Sequence, residues 1–427
     1  MKLNTKRTLL VGLAFMSISA FWQVYDSIVP LILKDVFDMR DDIAGVIMAL
    51  DNVLALFMLP IFGALSDKTM TRYGKRMPFI VLGTLAACVF AFLMPVAVAN
   101  RSLILFVITL GGALLSMAIY RSPAVALMPD VTPKPLRSKA NAIINLAGTV
   151  GGILMLGAIA VLASNDGVSY FPLFILLIVF MLLCIGFLFA KVKEPQLAAI
   201  AEEESRAMGV KDEAATDLNA GKEMSRKAKI SFAFMLASIF LWFMGYNAIT
   251  TSFSKYANVY WGLEGGAFAY TLMIAQAAAI IAYIPVGVIS TKFGRRKTIM
   301  GGIVLLTIAF GSCVFFKTFG GLIFFFFILA GFGWAAIGVN SFPMVVEMCK
   351  GSDIGKFTGM YYTFSMAAQV FTPVLSGFFL EHVGYWTLFP YAAAFAAIAF
   401  FTMLAVKHGD SKPQAPKDAL EAFDVED

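Results

Sequence analysis

Gly63-Ala64-Leu65-Ser66-Asp67-Lys68 ends one long apolar run, and Gly74-Lys75-Arg76 leads into the next. Far downstream, Gly287-Val288-Ile289-Ser290-Thr291-Lys292 ends another run, and Gly294-Arg295-Arg296 follows it. The first turn is longer by four residues; otherwise the two share the order Gly, Ser, Lys, Gly, basic, basic. Two further pairs keep the same order. Asp130 and Lys139 match Glu347 and Lys356 at nine-residue spacing, and Phe21-Trp22-Gln23-Val24-Tyr25-Asp26 matches Leu241-Trp242-Phe243-Met244-Gly245-Tyr246-Asn247. Three matches in one order indicate a duplicated chain.

The runs around these turns are membrane spans. Of the 427 residues, 60% are hydrophobic and 14% charged, far from the soluble average of about a quarter charged. About 20 apolar residues cross a bilayer as a helix. Twelve such runs stand at roughly 8–34, 42–65, 78–98, 102–126, 140–163, 169–190, 230–253, 266–289, 298–316, 319–346, 356–380 and 385–406. The first is too long for a cleaved signal peptide and carries Trp22, Tyr25 and Asp26. The fold class is therefore all-α and membrane-embedded, with twelve spans in two six-helix bundles. The expected division is 1–190 for the N-terminal bundle, 191–229 for a polar cytoplasmic linker, 230–406 for the C-terminal bundle and 407–427 for the tail.

Charge sets the orientation. With the N-terminus in the cytoplasm, 28 of the 33 Lys and Arg fall on that side. The other side keeps Lys34, Arg40, Arg101, Lys255 and Lys317. This bias places both termini inside, in a plasma membrane or, in a prokaryote, the cytoplasmic membrane. The net charge of +6 is thus a topology signal and implies no nucleic-acid partner.

Other chemistries are excluded. Four cysteines, Cys88, Cys184, Cys313 and Cys349, lie in or beside apolar runs without a CxxC, and the only histidines are His382 and His408. That composition supports no metal site, catalytic triad or cofactor, so no enzyme is expected. There is no GxxxxGK[ST] for a nucleotide. Gly331-Phe332-Gly333 lies in an apolar run with no preceding strand and reads as close helix packing.

Charges within hydrocarbon cost about 2.5–3.5 kcal/mol each at the centre and default to function. Two acids lie well inside spans. Asp51 is about 14 Å below the start of span 2, and Asp26 is about 18 residues up span 1. Anchoring the repeat on Gly63 and Gly287 sets Asp51 against Ala275; anchoring on Pro60 and Pro285 sets it against Gln276. In either register no acid opposes Asp51, and Asn247 opposes Asp26, so the titratable chemistry sits in the first half. Low dielectric disfavours a charged carboxylate and moves it toward proton exchange. Asp51 is the leading proton carrier and Asp26 the second.

Trp22, Tyr25 and Asp26 occupy one helix face, as do Trp242 and Tyr246. A ring beside a hydrogen-bonding group suits a sugar. Trp22, Tyr25, Asp26, Trp242, Tyr246, Asn247, Gln276, Gln369 and Asn145 are the candidate substrate contacts, with helix packing as the competing reading for each. Two acids and no central basic residue weigh against an anionic substrate. Asp67, Arg76 and Asp130 can join as a latch at the cytoplasmic rim. Arg296 and Glu347 are its second-half candidates, and Arg121 and Glu347 each need a partner.

The stretch Ser66-Asp67-Lys68-Thr69-Met70-Thr71-Arg72-Tyr73-Gly74-Lys75-Arg76-Met77-Pro78-Phe79 resembles the major facilitator superfamily. Within it the longer form is similar to the glycoside–pentoside–hexuronide:cation symporters, most of all their sucrose-transporter-like branch. Pro129-Asp130-Val131-Thr132-Pro133 and Arg137-Ser138-Lys139-Ala140-Asn141-Ala142 resemble that branch too. The resemblance implies the two-bundle major facilitator fold and cation-coupled sugar movement. There are departures. Thr291 replaces the acid of the first turn, Ala55 stands where melibiose-type members carry a second acid, and the only charge in span 4 is Arg121. The combined expectation is a monomeric secondary transporter moving a neutral sugar or glycoside with a proton, less readily sodium, by alternating access at a mid-depth site between the bundles. A carrier of another small solute and a non-transporting sensor on the same fold are the rival readings.

Overall fold

The computed structural model describes residues 3–133, 136–163, 170–207, 226–348 and 354–409. Of the residues singled out above, Cys349 and the side chains of Lys139, Thr291 and Lys356 lie outside the described residues, as do linker residues 208–225 and the tail beyond 409. The described residues form helices joined by short turns, because hydrocarbon offers no partner to a backbone amide and a helix satisfies its own. The helices are α1 (Thr5–Leu31), α2 (Asp41–Lys68), α3 (Met77–Ala99), α4 (Leu103–Asp130), α5 (Arg137–Leu162), α6 (Phe171–Lys191), α7 (Glu194–Ala207), α8 (Arg226–Val259), α9 (Phe268–Phe293), α10 (Arg295–Cys313), α11 (Leu322–Glu347), α12 (Ile354–His382) and α13 (Leu388–Leu404). All but α7 contribute to twelve stretches long and apolar enough to cross a bilayer. Their outward faces carry Leu82, Ile104, Val161, Ile281 and Phe401, all exposed, as suits a surface solvated by lipid.

Contacts divide the chain into two compact units. One holds Met1–Met39, Leu50–Lys211 and Glu264–Tyr270; the other holds Arg40–Ala49, Asp212–Leu263 and Thr271–Asp427. In the first, α1 packs on α5 and α6, and α3 packs on α4 and α6. In the second, α8 packs on α12 and α13, and α10 packs on α11 and α13. Each pair in one unit has its counterpart in the other, so the duplication seen in the sequence is also a duplication of packing. Gly74 and Gly294 both take positive φ, 112° and 89°, which is why both copies of the turn keep a glycine there.

Small residues let backbones meet. A Cβ on Gly331 would overlap the Ala275 carbonyl oxygen, and one on Gly333 would stand 2.7 Å from the Gly302 carbonyl oxygen. Close helix packing is thus what the Gly331-Phe332-Gly333 stretch does. The second unit includes the start of α2 for the same reason. A Cβ on Gly45 would overlap the Pro373 carbonyl oxygen, and one on Gly377 would overlap that of Asp41.

At that crossing the second unit buries an ion pair. Lys255 Nζ lies 2.7 Å from Asp41 Oδ1, with side-chain exposures of 4% and 1%. Tyr385 donates its hydroxyl to Asp41 Oδ2 at 2.5 Å, and the Asp41 amide donates to Glu381 Oε2 at 2.8 Å. Lys255, read from the sequence as a charge of the non-cytoplasmic side, is a buried helical residue. Removing one member of such a pair strands the other's charge, at a cost of about 3–5 kcal/mol. Lys255→Met should therefore lower thermal stability in detergent sharply. Adding Asp41→Asn should restore much of the loss. Equal stability of the single and double variants would show that the two charges do not depend on each other.

Candidate functional site

In the first unit α1 turns Trp22, Tyr25 and Asp26 toward one face. Trp22 meets Tyr25 edge-on, with ring centroids 5.3 Å apart, and Phe21 at 5.4 Å. Tyr25 is buried, while Trp22 and Asp26 are half-buried. Asp51 of α2, also half-buried, accepts from the Asn52 side-chain amide at 2.7 Å. Asp51 and Asp26 lie within electrostatic reach of each other, and both act on Tyr25. Arg121 of α4 acts on Asp51, and its guanidinium lies 5.8 Å from the Trp22 ring centroid. The structure thus gathers both intramembrane acids, an aromatic face and a cation in one unit. The Trp22 indole N–H is buried and has no hydrogen-bond partner among the described residues. A donor left so costs about 1–3 kcal/mol, which marks the place where a ligand acceptor would be favoured.

Arg121 corrects the sequence reading. It stands nine residues before the end of α4, about 14 Å along the helix from Asp130. A basic residue is therefore part of the cluster, and the argument against an anionic substrate from its absence falls. Depth along one helix could be counted in the sequence; the reach of a long guanidinium to a neighbouring helix could not.

In the second unit Tyr246 stacks on Trp334 of α11 at 3.6 Å between centroids and 7° between planes, and Phe243 meets Trp334 edge-on. Trp334 is half-buried and was not singled out in the sequence. Only its residue type marked it, one of five tryptophans, since nothing in the repeat points to it. Trp242 is 1% exposed and belongs to the unit's core. Its ring offers no face to a solute, and its indole N–H, like Asn247 Nδ2, is buried without a partner among the described residues. Gln276 is half-buried on α9. Gln369 Nε2 reaches the Ser365 carbonyl at 3.5 Å, a long bond along its own helix. Asn145, on α5 of the first unit, is half-buried, and its carbonyl accepts from Thr149. Trp22, Tyr25, Asp26 and Asp51 are thus brought together; of the second-unit candidates, Tyr246 gains an aromatic partner and Trp242 sinks into the core.

At the end of the first unit that carries residues 69–76, Arg76 is the hub. It is buried, and its Nε donates to Asp130 Oδ2 at 2.8 Å. Its other nitrogens meet Asp67 Oδ1, Ser66 Oγ and the Gly63 carbonyl. Lys75 Nζ adds a contact to Asp130 at 3.2 Å. Asp67, Arg76 and Asp130 therefore form one network. The second unit pairs an arginine with an acid at the corresponding turn. Arg295 Nε donates to Glu347 Oε1 at 2.9 Å, and Arg296, the residue singled out in the sequence, donates among its contacts to the Met403 and Leu404 carbonyls. The described residues include no group of three or more His, Cys, Asp or Glu side chains that could hold a metal ion.

A family model described as Major Facilitator Superfamily matches residues 11–282 and 260–424. No curated protein sequence matches. Among solved structures the chain is similar to the nucleoside transporter NupG, at 14% identity over 94% of this chain and 99% of that one, with a TM-score of 0.66. It is similar to the xylose transporter XylE from E. coli in an inward open conformation, at 16% identity over 94% of each chain and a TM-score of 0.65. It is also similar to the POT family transporter PepTSo, at 10% identity over 95% of this chain and 98% of that one, with a TM-score of 0.68. At these identities the likeness is one of fold.

The Arg76 hub makes a distinct prediction. Lysine cannot reproduce the fork that serves Asp67, Asp130 and Ser66 together. Arg76→Lys should lower the thermal unfolding temperature in detergent clearly, while Lys75→Ala, at a half-exposed position, should shift stability by less than about 0.5 kcal/mol. Equal effects of the two would remove Arg76 from the centre of the network.

Proposed function

The chain belongs to the Major Facilitator Superfamily, a family of membrane transporters, and on that premise we propose that it is a proton-coupled symporter of a neutral sugar or glycoside. In this reading it works by alternating access as a monomer, with both termini in the cytoplasm, in a plasma membrane or the cytoplasmic membrane of a prokaryote. Within the superfamily it falls with the glycoside–pentoside–hexuronide:cation symporters, on their sucrose-transporter-like side. The observation that carries the reading is the first-unit cluster: Trp22 with an unpartnered indole N–H, Asp26 on the same helix face, and Asp51 within electrostatic reach of Arg121, whose guanidinium lies near the Trp22 ring. The ring stacks on a sugar's C–H face, and its N–H and the Asp26 carboxylate serve hydroxyls. Asp51 exchanges the proton. When it is neutral, Arg121 loses a counter-charge and the cluster rearranges; that change is the coupling.

Tyr246 and Trp334 supply a second aromatic face and Asn247 a free amide donor, while Gln276, Gln369 and Asn145 supply further polar contacts. Arg76, Asp67 and Asp130 form the cytoplasmic gate of the first half, and Arg295 with Glu347 that of the second. Arg121 also favours a second reading, a proton-driven carrier of a small acidic solute, whose carboxylate would meet the guanidinium.

Uptake in reconstituted vesicles tests the reading. Under an inward pH gradient the wild type should accumulate a labelled mono- or disaccharide, and no sodium should be needed. Accumulation of weak acids alone would establish the second reading, and purely sodium-driven uptake would remove the proton mechanism.

Two variants sharpen it. Asp51→Asn keeps the shape and removes the charge change, so it should abolish accumulation and spare downhill exchange; continued accumulation would reassign the proton. Trp22→Ala should raise the half-saturating concentration about 3- to 10-fold, the equivalent of ~0.5–1.5 kcal/mol of aromatic contact. Trp242→Ala should leave that concentration near the wild-type value while lowering stability. The reverse pattern would return Trp242 to the site.

A further inference from the structure

The segment between the two halves reads in sequence as a solvated linker, yet its first helical residue is 2% exposed. Glu194 opens α7, and its carboxylate points into the start of α3. It accepts from the backbone N–H of Lys75 at 2.8 Å, from that of Arg76 at 3.0 and 3.1 Å, and from that of Met77 at 2.8 Å. The first amides of a helix have no partner within it and together carry a partial positive charge, so a carboxylate there is held by charge-assisted bonds. Gly74 makes the approach possible. Its φ is 112°, and a Cβ on it would overlap the Glu194 carboxyl group. The far part of α7 is tied as well, since Glu204 Oε2 pairs with Arg7 Nη2 of α1 at 3.2 Å. The described part of the linker is thus fastened to the first unit near both ends of one helix.

The residue whose backbone Glu194 grips is the hub of the charge network. Arg76 has its amide bound to Glu194 of α7 and its guanidinium bound to Asp67 of α2 and Asp130 of α4. The carboxylate that holds the first turn of α3 thus also holds the backbone from which the guanidinium reaches both acids.

We propose that Glu194 is a positioning residue for the gate: it fixes Arg76 between Asp67 and Asp130, so that docking of the linker helix sets how firmly that network stays closed. This rests on the reading of the Asp67–Arg76–Asp130 network as a gate. It assigns the linker a part in controlling that gate which its polar composition did not indicate.

The test uses the full-length chain with its native cysteines replaced and one cysteine placed at Thr132, a buried position two residues beyond Asp130. The rate at which a maleimide labels this cysteine in membranes reports opening of the network and needs no substrate, so it is independent of whether the chain carries sugars. Glu194→Ala should raise the labelling rate about 5-fold or more. It should also speed hydrogen exchange at the amides of Lys75, Arg76 and Met77. Glu194→Gln keeps a carbonyl acceptor and should fall between Glu194→Ala and the parent. Asp67→Asn should raise labelling alone but add little on top of Glu194→Ala, because both act through Arg76. Faster amide exchange with unchanged labelling would make Glu194 a helix cap only and overturn the proposal. Full additivity of Asp67→Asn with Glu194→Ala, or no effect of either Glu194 variant, would overturn it equally. Failure of the wild type to move any sugar would count against the proposed function alone.

Discussion

Hydrocarbon supplies no hydrogen bonds, and every feature of this molecule answers to that. The backbone is helical because a helix closes its own ladder. Polar side chains inside the spans are few, so each one stands out. Most are settled locally: Ser238 reaches Thr402, Ser290 reaches Asn340, and Asp41 holds Lys255. The Trp22 indole in the first unit, and the Trp242 indole and Asn247 amide nitrogen in the second, are among the buried polar groups left without a partner among the described residues.

The same constraint explains how much could be read beforehand. Spans follow from runs of apolar residues, and the helix ends fall within a few residues of the sequence boundaries; α8, which begins at Arg226 and runs to Val259, differs most. The repeat was legible because both copies of the turn need Gly at a positive φ and both network arms need a basic residue facing an acid. Contacts across helices were less legible. Heptad-like counting places Trp22, Tyr25 and Asp26 on one face but says nothing of Arg121 arriving from α4. Likewise Trp242 and Tyr246 share a face by counting, yet one is sealed in the core and the other stacks on Trp334. Which side of a helix meets a neighbour is decided by packing, and for a helix apolar all round the sequence carries little sign of it.

Charge at the first unit's network forms a graded series. Asp67 is the most exposed member, Asp130 less so, and Arg76 and Glu194 are buried. A buried arginine facing two acids, its amide held by a third, is over-determined in its present position. A network of that kind switches between discrete arrangements more readily than it deforms. The mid-span cluster has the opposite balance. Asp51 lies within electrostatic reach of both Asp26 and Arg121, so the two acids and the cation are not held in a closed set of pairs.

In the proposed mechanism solute and proton move together through the Asp26, Asp51 and Arg121 cluster. Proton movement measured on solute addition tests it most directly. In lightly buffered vesicles with no imposed gradient, adding the transported sugar outside should alkalinise the external medium in wild type, and Asp51→Asn should abolish the pH change while still exchanging sugar. Sugar entry in wild type with no proton movement would contradict the account.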